Sequence, residues 1–296
     1  MSRVLVIGNA TIDLILPVAS LPAPGETVLA GQALRCAGGK GLNQALAASR
    51  LGVPTTLLAP VGEDPDGRFL ADAMVREGLH AQWITSGHPT DLSIVAIAAG
   101  GENLIISTAA SAQSMTPETA ECAASALQPA DILVLQGNLC EATTVAAHRT
   151  ARSKCAKTIF NTAPIAWNQA ELAADVDVVV ANAGEALHLT GLQGEAAAVR
   201  LVEAGARAAI VTRGAAPTIL AAEAGVSLLP IAQVDTVDTS GAGDVTVGVL
   251  AAGLARGMTL EQALELALSA ASLSVTRHGT SPSFPSASEL AALGHQ

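Results

Sequence analysis

Tyrosine is missing from the 296-residue sequence, and three phenylalanines and two tryptophans are all that remain of the aromatics. Half of the chain is hydrophobic, so any core must be aliphatic. Lysine is nearly as scarce. There are only Lys40, Lys154 and Lys157, which makes a lysine inside the glycine-rich string AGGKG notable. Basic residues are outnumbered 15 to 26, for a net charge of −11, which argues against a nucleic acid or an anionic membrane as partner. A small anionic ligand stays open, because a site can be locally positive. The four cysteines, Cys36, Cys122, Cys140 and Cys155, form no CxxC pair and read as reduced, mostly buried thiols of a cytoplasmic protein. No HxxxH pair supports a zinc site. The apolar N-terminal run is interrupted by Gly8, Asn9 and Asp13 and lacks a clean cleavage site for a signal peptide. Near the C-terminus the longest uncharged apolar run, 245–255, is too short for a bilayer. The common nucleotide signatures are absent too. Lys40 is followed by Gly41, which breaks GxxxxGK[ST]; Thr246 breaks GxGxxG; and no HRD or DFG triplet occurs.

What is present is a rhythm. RVLVIG (3–8), TTLLAPVG (55–62), DILVLQG (131–137), KTIFNTAP (157–164), VDVVVAN (176–182) and AAIVTRG (208–214) read as strands. Helical patterns at 41–52, 116–127, 141–153, 184–190 and 195–205 lie between most of them. This alternation predicts an α/β fold, a mainly parallel sheet flanked by helices. Residues 14–37 and 91–108 break the rhythm and alternate in the manner of antiparallel strands, so they are expected to form a small β lid on a single domain spanning 1–296. Thr259 with Gln262 forms a capping box that opens a helix near the C-terminus. Ligands of such sheets bind at the C-terminal strand ends. Asp13, Asn138, Asn161, Asn182, Thr212 and the 238–244 loop are expected to converge there on one site.

The stretch VDTSGAGDVTVGVLAAGLARG (237–257) places Asp238 and Asp244 around a Gly-Ala-Gly loop and runs into an apolar helix. An Asp before a helix ordinarily caps it. Capping does not need Gly241 and Gly243, whereas a backbone pocket of N–H groups open to an anion does. GGKG at 38–41 is a second glycine-rich helix start of this kind.

AGGKGLNQALAASRLG (37–52) together with VDTSGAGDVTVGVL (237–250) resembles the two signatures of the ribokinase-like (PfkB-type) carbohydrate kinases, in their order and separation. GNATIDLIL (8–16), PAPGETV (22–28), NAGEALHLTG (182–191) and SVTRHGTSPS (274–283) extend the resemblance over nearly the whole chain. The ribokinase branch matches best, through GGKGxNQA and the VTRxGxxPS tail. The resemblance implies an ATP-dependent kinase that phosphorylates a hydroxyl, expected to be primary, of a small sugar. Asp244 would be the base, and the N–H groups of Gly241, Ala242 and Gly243 would form the anion hole. Asp13, Gly39, Lys40 and Asn43 would hold the sugar, along with the positions of Thr11 and Asn138. Asn182 and Glu185 would organise Mg²⁺, while Asn182, Thr212, Gly214 and Gly243 would meet the nucleotide. Asp238, Ser240, Ser274, Gly279 and Ser283 match the family's K⁺ loops. A homodimer is implied by many relatives and by the exposed strands of the lid.

Three positions depart from the ribokinase pattern. Thr11 replaces Asn, Asn138 replaces Glu, and RGAAP (213–217) replaces Gly-Ser-x-Gly. Weaker use of ribose follows as an expectation. A nucleoside or another carbohydrate is the alternative substrate, and a sugar- or nucleotide-binding protein on a kinase scaffold is the non-enzymatic alternative.

Overall fold

A computed structural model describes residues 2–98, 100 and 102–294. Thirteen strands form two sheets: β1 (Val4–Ile7), β2 (Thr11–Val18), β3 (Leu34–Gly38), β4 (Thr55–Val61), β5 (His80–Thr85), β6 (Asp91–Ala98), β7 (Asn103–Ser107), β8 (Ile132–Gln136), β9 (Lys157–Asn161), β10 (Val178–Asn182), β11 (Ala208–Arg213), β12 (Ala216–Ala222) and β13 (Gly225–Leu229). The large sheet runs β13-β12-β11-β10-β9-β8-β1-β4-β5 and is parallel from β11 to β5, as the alternation predicts. β5 closes one edge, and the antiparallel pair β12–β13 extends the other. None of these three was marked by its sequence pattern.

Strands with helices on both faces are buried throughout, and β1 and β8 are. Alternate residues feed two aliphatic cores. Val4, Val6, Ile132 and Val134 pack beneath the helices Lys40–Arg50, Ala242–Ala255 and Leu260–Ser274, while Leu5, Ile7, Leu133 and Leu135 face the opposite layer. The capping box of Thr259 and Gln262 opens the last of those helices as expected. Gly248 lets two of them touch. A methyl group at that position would overlap the Gln44 carbonyl oxygen, so the glycine draws the 242–255 helix onto the 40–50 helix and brings their N-terminal ends together.

The small sheet, β3-β2-β6-β7, is the lid. Its strands begin at Thr11 rather than at 14, and little of 19–33 is extended apart from a bridge between Val18 and Ala30. Positions 99 and 101 of the expected 91–108 segment lie outside the described residues, as do 1, 295 and 296 of the expected domain span. The expected antiparallel order holds for β2–β3 and β6–β7, but the central pair β2–β6 is parallel. Alternation reports which face of a strand is covered; it carries no information on the direction of the neighbour. The thiols also correct the sequence reading. All four are free, with Cys122 and Cys155 exposed and Cys36 and Cys140 only half-buried. Cys155 sits in the turn after the helix Glu141–Ser153 at a φ of 58°.

Away from the strand ends that face the lid, His148 is 2% exposed, with its ring nitrogens 3.1 Å from Thr158 Oγ1 and 3.1 Å from Asp175 Oδ2. Asp175 already pairs with Arg152. Burial and the charge of Arg152 push the His148 imidazole down to about 4. The folded value lies below the unfolded one, so the unfolded chain takes up this proton first. The resulting stability is fully present above about pH 6.5 and is lost as pH falls toward 4, on the order of 3 kcal/mol in all. Melting curves between pH 7 and pH 4.5 should therefore fall more steeply for the wild type than for His148→Gln. Parallel curves would remove His148 as the acid-sensitive group.

Candidate active site

Two cavities open at the C-terminal ends of the large sheet, on either side of the N-terminus of the 242–255 helix. The first, about 460 Å³, lies under the lid and is lined by Asp13, Gly39, Lys40, Asn43, Asn138 and Asp244, with Ser240 and Gly241 at one wall. The second, about 280 Å³, is lined by Thr212, Gly214, Thr218, Ala242, Gly243 and Ser272 among others. Of the residues expected in one site, Asp13, Asn138 and Asp244 line the first cavity and Thr212 and Gly243 the second, while Asn161, Asn182 and Asp238 line neither. The glycine loop forms the partition.

Asp244 stands in the first turn of its helix, and no side chain caps that helix. Its carboxylate instead reaches across to the 40–50 helix. Oδ2 accepts from Asn43 Nδ2 at 3.1 Å, Oδ1 accepts from Gln44 Nε2 at 3.0 Å, and Lys40 Nζ lies 3.8 Å from Oδ1. Capping therefore does not explain this acid. Gly241 begins the helix at a φ of +80°, a left-handed conformation suited to glycine. Among the described residues no backbone oxygen accepts from the N–H of Gly241 or Gly243, while Ala242 donates a long bond to Thr239 at 3.3 Å. Unsatisfied N–H groups at a helix start make an anion site, and here Gly241 and Gly243 contribute more freely than Ala242.

Asp13 is 5% exposed and accepts from Thr11 Oγ1 at 2.8 Å and Thr280 Oγ1 at 3.2 Å. Burial holds its carboxyl above the usual range; those hydrogen bonds pull it partly back, and the charge of Asp244 adds to the rise. Thr11 is fully buried and does not line the cavity; it holds Asp13. Ser93 of β6 does line it, and its hydroxyl reaches Thr11 Oγ1 at 3.4 Å. Sequence reasoning missed Ser93 and Thr280, because a serine on a lid strand or a threonine in a loop carries no local signal. Asn138 Oδ1 and Asn43 Oδ1 are buried without a partner in residues that line the cavity.

On the other side, Thr218 Oγ1 and Ser272 Oγ are buried and unpartnered in the wall of the second cavity. Asn182 pairs with Thr212 in the β10–β11 register, which sets it beside this cavity. It also forms a reciprocal capping box with Glu185 at the start of the helix Ala183–Thr190. Glu185 further accepts from Thr162 Oγ1 at 2.8 Å. Arg213 Nε is bound to the Pro217 carbonyl at 2.8 Å, closing the tight β11–β12 turn. Asp238 is 3% exposed, and its carboxylate takes the N–H groups of Ser240 at 2.8 Å and Gly279 at 2.9 Å. It thereby ties the 238–240 loop to the 275–283 segment, where Ser283 donates to Thr280; Ser274, at the end of the preceding helix, donates to Ala271.

The chain is 30% identical to ribokinase of Bacillus subtilis, over 98% of this chain and 98% of that one. It is also 30% identical to deoxyribokinase of Salmonella typhi, over 95% of each. The bifunctional ribokinase/ribose-5-phosphate isomerase A of Fructilactobacillus sanfranciscensis is 28% identical over 96% of this chain, and the match spans 55% of that longer protein. The structure of Arabidopsis thaliana ribokinase complexed with ribose and ATP superimposes with a TM-score of 0.84 at 25% identity, covering 100% of both chains. The pattern of the pfkB family carbohydrate kinases matches residues 1–287. Both cavities and the loop between them fall inside that match, and the chain belongs to the pfkB family of carbohydrate kinases, enzymes that carry phosphate from ATP to a sugar hydroxyl.

Proposed function

We propose that the cavity under the lid takes a small sugar with a primary hydroxyl directed at Asp244, and that the cavity beyond the glycine loop takes the nucleotide. The observation that supports this reading best is the partition itself. One helix start presents Asp244 to one cavity and Gly243 to the other. Phosphoryl transfer rests on positioning and on stabilising charge at the transferred group. Asp244 takes the proton of the sugar hydroxyl, whose oxygen attacks the γ-phosphorus as the bond to the β–γ bridging oxygen breaks and ADP leaves. The N–H groups of Gly241 and Gly243, with a weaker share from Ala242, face the charge on the γ-phosphoryl oxygens. Asp13, Gly39, Lys40, Asn43 and Asn138 hold the other hydroxyls, and the unpartnered oxygens of Asn43 and Asn138 suit that task. Thr212, Gly214 and Asn182 border the nucleotide.

Among the described residues no cluster of His, Cys, Asp or Glu has the makings of a direct metal cage. Mg²⁺ keeps several waters and is bound largely through substrate phosphates. Asn182 and Glu185 would hold it through such waters, and the ion would neutralise phosphate charge. Asp238 fits a monovalent cation on different grounds. It is a buried carboxylate with no Lys, Arg or His paired to it among the described residues. K⁺ held near it by the loops containing Ser240, Ser274, Gly279 and Ser283 would offset that charge and fix the 238–244 loop. The lid exposes Leu34, Leu104 and Ile106 by 53%, 42% and 62%, and a second copy of the chain is the occupant we assign to that face. No helix among the described residues is long and apolar enough to cross a membrane.

An ATP-consumption screen over pentoses, deoxypentoses, hexoses and nucleosides, with K⁺ and with Na⁺ alone, tests this reading. Ribose should be a weaker substrate than for ribokinases that carry Asn and Glu at positions 11 and 138. The pair Thr11→Asn with Asn138→Glu should raise kcat/KM for ribose. Most of the gain should come from position 138, which lines the cavity, rather than from buried position 11. A wild-type enzyme that already favours ribose strongly would end this account of specificity.

A further inference from the structure

We propose that Gln44 is the positioning residue of the base, and that its orientation is set by a buried chain of amides running back to a backbone carbonyl. The inference rests on the reading of Asp244 as base. Gln44 is 0% exposed and every polar atom of its side chain is engaged. Nε2 donates to Asp244 Oδ1 at 3.0 Å and to Asn161 Oδ1 at 3.2 Å, and Oε1 accepts from Gln136 Nε2 at 2.8 Å.

The polarity of this chain is set from both ends. The Val180 carbonyl on β10 is an acceptor only, so the Asn161 Nδ2 that meets it at 3.1 Å must be the donor end of that amide. Asn161 Oδ1 then faces Gln44 and requires the Gln44 NH₂ group there. Asp244 demands the same orientation independently. Gln44 Oε1 is thereby turned to Gln136, whose NH₂ group answers it. Gln136 and Asn161 are register partners on β8 and β9, and Asn161 pairs with Val180 on β10. Three adjacent strand ends therefore form a rigid floor beneath the carboxylate.

The consequence is directional. With Oδ1 held by Gln44, and Oδ2 by Asn43, the carboxylate plane is fixed, and its remaining lone pairs are presented to the cavity that takes the sugar. The other charged groups facing Asp244 are Lys40 from the 40–50 helix and Asp13 from β2. A change at Gln44 leaves both in place.

The test compares Gln44→Met, Asp244→Asn and the double variant in steady-state kinetics. Loss of a hydrogen bond to a charged group should lower kcat by about 10- to 100-fold in Gln44→Met. The KM for the sugar should stay within about threefold, since the ground-state contacts remain. In the Asp244→Asn background the Gln44 change should cost nothing further, because its action passes through the carboxylate. An equal loss in both backgrounds, or a loss that falls on the sugar KM rather than on kcat, overturns the proposal and makes Gln44 a packing residue. If Gln44→Met does not fold, Gln136→Met is read in the same way. Loosening the Gln44 amide by removing the donor to its Oε1 should give a smaller loss of the same sign, again absent in the Asp244→Asn background, and an additive loss overturns the proposal. An Asp244→Asn enzyme with wild-type kcat instead overturns the reading of Asp244, and the proposal with it.

Discussion

Asp244→Asn should lower kcat by ~10²–10⁴, the range for removal of a general base, while leaving the fold almost untouched. The structure explains why the two effects separate. Asp244 does not cap its helix, so no backbone N–H loses a partner. The substituted amide can still accept from Gln44 through its oxygen. Its NH₂ group would oppose the Asn43 NH₂ group, but Asn43 Oδ1 is buried without a partner, and turning that amide over restores a hydrogen bond. The ion pair with Lys40 is long at 3.8 Å, so stability should change by no more than about 1 kcal/mol. The sugar KM should move little, because an amide still hydrogen-bonds a hydroxyl. Kinetics and thermal melting on the purified variant decide the matter. A kcat within about threefold of wild type, far short of the loss expected for a missing base, would leave Asp244 a binding group only.

The second large effect is expected at Gly241, with Gly243 as its internal control. Gly241 holds a φ of +80°, and a methyl group built there would lie 2.7 Å from Cε1 of Phe284, whose ring is 2% exposed and has nowhere to retreat. The left-handed conformation alone costs a residue with a Cβ roughly 1–2 kcal/mol. In Gly241→Ala the loop must shift, and with it the N–H groups directed at the phosphate. Loss of one such donor is worth about 10²–10³ in kcat. At Gly243 a methyl meets nothing within 4 Å and the N–H survives. Gly243→Ala should therefore keep its melting temperature and stay within about tenfold of wild-type kcat, well below the cost of a lost donor. If Gly243→Ala proves the more damaging to kcat at equal stability, the anion hole does not depend on the left-handed entry.

Features decided within a few residues were legible in the sequence. The capping box at Thr259–Gln262 forms as its spacing implies, because an N-cap and its third helical residue are always neighbours. The buried parallel strands announced themselves as short aliphatic runs, since both of their faces are covered. Asp244, Gly241, Gly243, Lys40 and Asn43 lie at the two glycine-rich helix starts that the sequence marks. The 40–50 helix start is not open to an anion as expected, because Asn9 takes the N–H groups of Gly41 and Leu42 and Gly39 takes that of Asn43.

Tertiary structure decided everything that depends on residues far apart in the chain. β12 and β13 were not legible because an antiparallel edge pair carries no pattern that separates it from a loop. The parallel pairing of β2 with β6 joins segments with two strands of the large sheet between them, and no period records it. Thr11 was expected to face the sugar, yet it lies fully buried behind Asp13, because only the register of β2 against β6 fixes which side chain reaches the cavity. Gln44 is one letter in a helical run; Gln136 on β8, Asn161 on β9 and the approach of two helices at Gly248 make it the residue that holds Asp244. The sequence by itself determined the chemistry available, since acids, glycines and amides keep their character anywhere. The fold determined which of them meet, because distances between segments hundreds of residues apart are set by packing and not by spacing.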